Sequence, residues 1–179
     1  MKNKLLLLML VFVAMIASFA FISCGGDDDN DGPKDESATY SAKIDYDVTL
    51  TADMIKLFDV VINYYDPIAC NEVSEKVSIT DWTKSFTVTR LPAKAYLFMN
   101  LTLKSGATVS ETFKYSRSYD VVVTRYKNDK EDGVKSSSSY STGTMAADKF
   151  PVFLEKYCAE TPCIKSSTII VSTDDFNEE

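Results

Sequence analysis

Four cysteines and a complete absence of histidine set the limits of what this 179-residue chain can do chemically. Cys158 and Cys163 are separated by four residues that include Pro162, a spacing that suits a local disulfide. Cys70 offers an alternative partner to either, and the three thiols can also stay reduced. Without histidine there is no Ser-His-Asp or Cys-His catalysis, no His-ligated metal and no neutral-pH proton shuttle. Three scattered thiols do not make a zinc set either, so neither a metal nor a cofactor is expected.

Carboxylates come next. Asp45 and Asp47 project from one strand face, and Asp174-Asp175 and Glu178-Glu179 pair near the end. Glycosidases need two carboxyls about 5–10 Å apart across a cleft, with unequal pKa values. Asp45 and Asp47 alternate with Ile44, Tyr46 and Val48, so water is their simplest neighbour. Ser136 to Ser139, with lysines nearby, contain the ingredients of a Ser–Lys dyad but no pattern that fixes its geometry. No catalytic residue is predicted, and the chain reads as a non-enzyme. Its ten Tyr and ten Phe are more suggestive. Tyr64, Tyr65, Tyr96, Phe98, Tyr115 and Tyr119 put rings on both strand faces. Exposed rings stack on sugars or anchor protein partners; the simpler expectation is a second apolar layer beneath a helix or loop.

The amino-terminal stretch says where the chain resides. Lys2 and Lys4 precede an uncharged apolar run from Leu5 to Ile22. Such a run is long enough to span a bilayer or to serve as a secretory signal, and its ending decides between them. A stop-transfer helix is followed by Lys, Arg or aromatic anchors. Here Ser23 and Cys24 follow, then two glycines and Asp27, Asp28, Asp29 and Asp31. Phe21 to Cys24 resembles the lipobox of bacterial lipoproteins, and the acidic run is similar to the start of Bacteroidetes-type surface lipoproteins. The resemblance implies cleavage between Ser23 and Cys24 and a diacylglyceryl thioether plus an N-acyl group on Cys24. It further implies that the acidic residues direct export to the outer face of the outer membrane, the periplasmic face being the alternative. Two or three acyl chains make detachment negligible, at about 0.8 kcal/mol per buried methylene.

Asp27, Asp29, Asp31 and Gly32 also match the opening of a calcium-binding EF-hand loop. The twelfth place, which needs a bidentate carboxylate, is Ala38, and no amphipathic helix follows. Residues 24–39 therefore read as a solvated, lipidated tether. Removing residues 1–23 leaves 156 residues with 17 basic and 26 acidic side chains, a net charge of −9. That balance disfavours nucleic acid and anionic lipid surfaces.

Residues 40–179 must then form the folded domain. Ala42, Ile44, Tyr46, Val48 and Leu50 alternate with polar residues, the period of a half-buried strand. Strands are expected at 57–65, around Val77–Ile79 and Trp82–Val88, at 95–103, in one long run over 109–126, and at 167–173. Residues 127–141 read as a polar loop. Arg117 and Arg125 fall on the core face of the long strand, which predicts a bulge or an overhanging strand end. Phe150, Phe153, Leu154, Tyr157 and Cys158 make one apolar stripe at helical spacing. The expected fold is mainly β: an antiparallel two-sheet sandwich of immunoglobulin-like architecture with one helix, an open barrel being the alternative. Function reads as a lipid-anchored binding or structural module with a glycan or protein ligand. A carboxylate hydrolase and an inhibitor or accessory lipoprotein of an envelope complex are the other classes. Two convergent carboxylates in a deep pocket would mark the hydrolase, a flat patch of rings the binder, and a protruding loop over 127–141 the inhibitor.

Overall fold

The computed structural model describes residues 38–158 and 162–179. Two four-stranded antiparallel sheets face each other. The first runs β4 (Asp81–Val88), β1 (Tyr40–Thr49), β8 (Ser118–Lys127) and β9 (Lys130–Ser139). The second runs β11 (Ile164–Lys165), β6 (Leu97–Leu103), β2 (Phe58–Asp66) and β3 (Asn71–Val77). A small third sheet sets β12 (Ile169–Val171) between β5 (Ala93–Ala95) and β13 (Phe176–Glu178). A ribbon of β7 (Thr112–Ser116) and β10 (Thr142–Ala146) completes the strands. The fold is mainly β, none of its sheets closes into a barrel, and the arrangement is that of a sandwich.

The inward residues follow from the alternation. Ala42, Ile44, Tyr46 and Val48 of β1 meet Val60, Ile62 and Tyr64 of β2 and Leu97 and Met99 of β6, all buried. Each buried aliphatic or aromatic side chain contributes about 1.5–3 kcal/mol, which is what holds two such sheets together. Tyr46 is fully buried, and its hydroxyl donates to the Tyr65 carbonyl at 2.8 Å. The helical stripe forms α2 (Phe150–Tyr157), entered through a 3-10 turn at Ala147–Lys149, with Pro151 in its first turn. Phe150 and Phe153 close a ring cluster with Phe58, Phe113 and Tyr115.

Several expectations are corrected. A short helix, α1 (Ala52–Leu57), occupies what reads as a turn; the Thr51 hydroxyl caps it by accepting from Met54 N–H. The long strand over 109–126 is broken at Arg117 into β7 and β8. Residues 127–141 are no loop but a tight hairpin: Lys127 pairs with Lys130 around Asn128 and Asp129, whose φ values are 51° and 61°. Both central residues in the left-handed region make the turn that matches strand twist. Beyond the last expected strand, Phe176–Glu178 form β13. The expected irregularity near Arg125 is present as a register shift between Arg125 and Tyr126.

Candidate functional site

Three surfaces collect the residues with chemical potential. On the outer face of the first sheet, Asp45 lies opposite Ser85 and Val122, and Asp47 opposite Thr83 and Asp120. Ser85 Oγ donates to Asp45 at 2.7 Å, and Lys43 Nζ sits 2.9 Å from the same carboxylate. Partial burial, with Asp45 and Asp120 adjacent, raises the Asp47 carboxyl above its ordinary range. A hollow of about 380 Å³ is lined by Asp45, Asp47, Thr83, Lys84 and Ser85, with Tyr46 and Val122. All of these belong to three adjacent strands of one sheet. The hollow therefore has a floor and no opposing wall, whereas two-carboxylate hydrolysis needs groups on both sides of the scissile bond. Ser136 to Ser139 lie in β9, with Ser137 buried and the others on its two faces. Ser137 Oγ accepts from Ser167 N–H at 3.0 Å, a structural role. Among the described residues no group of three or more side chains is placed to hold a metal ion.

The outer face of the second sheet gathers rings. Alternation sends Tyr64 into the core and leaves Tyr65 outside, beside Tyr96 with centroids 5.6 Å apart. Lys94 Nζ lies 5.7 Å from the Tyr65 ring, and the Tyr96 hydroxyl donates to Glu72 at 3.2 Å. Burial, then the Glu72 charge, pushes the Tyr96 phenol up. Phe98, half-buried, stands opposite Asn63 on the neighbouring strand. Asn63 accepts from Ser74 Oγ at 2.6 Å, while its Nδ2 and the Oδ1 of Asn100 find no partner. Turning the Asn63 amide over would only exchange which of its two polar atoms is unpaired. Of the other rings singled out, Tyr115 belongs to the helix-covered cluster and Tyr119 donates to the Lys165 carbonyl.

The third surface lies where β7 breaks from β8. Arg117 N–H donates to the Ser141 carbonyl at 2.7 Å, and its guanidinium stacks on Tyr157 at 3.8 Å from the ring centroid. A hollow of about 290 Å³ is lined by Arg117, Lys156, Tyr157, Pro162 and Cys163. Cys158 and Cys163 are free thiols here, so the expected local bridge is not formed. Burial pushes their pKa values up to about 11 and about 12, which leaves little thiolate near neutrality. Neither is an activated nucleophile. The sequence pattern flags Arg117 only as a misfit on a core face; the partner that explains it, Tyr157, is distant in sequence.

Ser23, Cys24, Asp27, Asp28, Asp29 and Asp31 lie outside the described residues. Among the described residues no helix is long and apolar enough to cross a membrane. No family model matches the chain, and no curated protein matches it. Among solved structures it is similar to a protein from Parabacteroides distasonis, determined by NMR in a calcium-bound form. The match has 19% identity over 67% of this chain and 99% of that one, with a TM-score of 0.24, a likeness too slight to bear on fold or function.

Proposed function

We propose that this chain is a lipid-anchored envelope protein, held by Cys24 at the outer membrane surface, whose sandwich serves as a binding module rather than as an enzyme. The observation that carries the binding reading is the outer face of the second sheet. Tyr65, Tyr96 and Phe98 lie there beside Glu72 and Lys94, an amphipathic patch of the kind that recognises a glycan or a protein. The carboxylates that a hydrolase would use sit on an open sheet face, and residues 127–141 form a regular hairpin instead of the protruding loop an inhibitor would present. The anchor rests on the sequence of Phe21 to Cys24 and the acidic run that follows.

The test has two arms. Cys24→Ala should leave the protein unlipidated and free of the membrane fraction; a variant that still sediments with membranes refutes the anchor. In a screen of glycans and envelope proteins against the full-length chain, Tyr96→Ala should abolish any binding found. Binding that is indifferent to Tyr96 would move the site off this face.

A further inference from the structure

Two arginines of the β7–β8 run stack on aromatic rings, and the molecule treats them differently. Arg125 is paired with Asp132 at 3.0 Å, donates to the carbonyls of Ser172 and Asp132, and stacks on Phe176. Arg117 has the stacked ring but not the anion. Its Nη2 reaches Ser141 Oγ only at 3.5 Å, and its buried Nε, like that of Arg125, has no acceptor. Lys156 Nζ lies 5.2 Å from the same Tyr157 ring, and among the described residues neither cation forms an ion pair. Among the described residues no carboxylate lines the hollow between them, although the whole chain carries −7.

Two ordinary explanations leave a remainder. Stacking on Tyr157 satisfies a face of the guanidinium, whereas its N–H groups point outward in the ring plane. The C-terminal carbonyls of α2 supply about half a negative charge, short of two full cations. What fits an unfilled guanidinium edge is a planar oxyanion taken by two parallel hydrogen bonds, which is carboxylate geometry. The walls come from a strand end, a helix end and the Pro162–Cys163 segment. They bound a half-open hollow. Its volume of about 290 Å³ is just below the usual range for ligand sites, which leaves room only for a small molecule such as a monosaccharide.

We propose that this hollow is a carboxylate subsite for an acidic sugar, with Arg117 gripping the carboxylate and Lys156 supplying the second charge. It lies apart from the Tyr65–Tyr96 face and depends neither on that face nor on the lipid anchor. The test follows the Arg117 Nε–H resonance in 1H–15N spectra of the full-length chain in neutral detergent. Glucuronate should shift it saturably; glucose should not. Arg117→Lys keeps the charge but loses the paired contact, and should weaken the glucuronate response of the Tyr157 amide by about tenfold or more. Lys156→Gln, at an exposed position with no fold to disturb, should weaken it about threefold. The absence of saturation at roughly 50 mM, well above the Kd expected of so small a group, overturns the proposal. So does N-acetylglutamate binding as well as glucuronate, which would assign the subsite to acidic peptides. If Glu160→Gln alone moves the Arg117 resonance before any ligand is added, the occupant is the chain's own carboxylate and the sugar reading falls.

Discussion

Replacing Tyr46 by Phe removes one oxygen from the middle of the sandwich, and its effect should depend on pH in a way that packing alone cannot produce. Tyr46 is fully buried, its hydroxyl donating to the Tyr65 carbonyl at 2.8 Å. At pH 7 the substitution leaves that carbonyl without its donor, which costs about 1–3 kcal/mol. Alkali acts on the wild type alone. Burial raises the Tyr46 phenol far above its ordinary value of 10.0, so the folded chain keeps this proton after the unfolded chain has lost it. A proton held more tightly by the folded state means that stability is complete below pH 10 and falls as pH rises above it. The slope approaches about 1.4 kcal/mol per pH unit from this group. Tyr46→Phe has no such proton. The wild-type advantage should therefore shrink from pH 10 upward and vanish near pH 11–12. Urea unfolding of both proteins from pH 7 to 12 measures the difference, in which the shifts of Tyr64 and Tyr96 cancel. A difference that stays constant through that range refutes the account of Tyr46 as a buried, neutral phenol.

The ring cluster under α2 should be the most sensitive packing site. Phe153→Ala should cost about 3–5 kcal/mol in urea unfolding, and a double-mutant cycle with Phe113, 5.0 Å away edge-to-face, should return about 0.5–1.5 kcal/mol of coupling. At the β8–β9 turn, Asp129 has φ 61°. Asp129→Gly should stabilise by up to about 1 kcal/mol and Asp129→Val should destabilise by about 1–2 kcal/mol, read from thermal midpoints.

The parts legible in the sequence were those in which one side of an element is greasy and the other wet. β1 declares itself through Ile44, Tyr46 and Val48, and α2 through Phe150, Phe153 and Tyr157, because burial of one face imposes the period. β9 carries no such record. The residues on its inner side, Gly133, Lys135 and Ser137, are not apolar, and its strand character is conferred by the ladder to β8. The one local cue was Asn128-Asp129, a pair able to hold the left-handed region, between two stretches of like length. α1 was hidden for the opposite reason: six residues are too few to display a helical period, and the Thr51 cap gives its start away only in hindsight. For the candidate sites, alternation correctly separates Tyr64 from Tyr65. The meeting of Arg117 with Tyr157, forty residues on, is set by where β7 stops and α2 docks, and no local pattern encodes it.

The third sheet has a consequence for where the chain can be cut. Its middle strand, β12, joins β5 to β13, and Thr168 exchanges two backbone hydrogen bonds with Glu179. Phe176 packs under Arg125, and Glu178 reaches Lys135 at 3.0 Å. A chain cut before Ile169 would leave β5 without its paired neighbour and Arg125 without the Phe176 ring. A tag fused after Glu179 would start at a residue already stitched into the body.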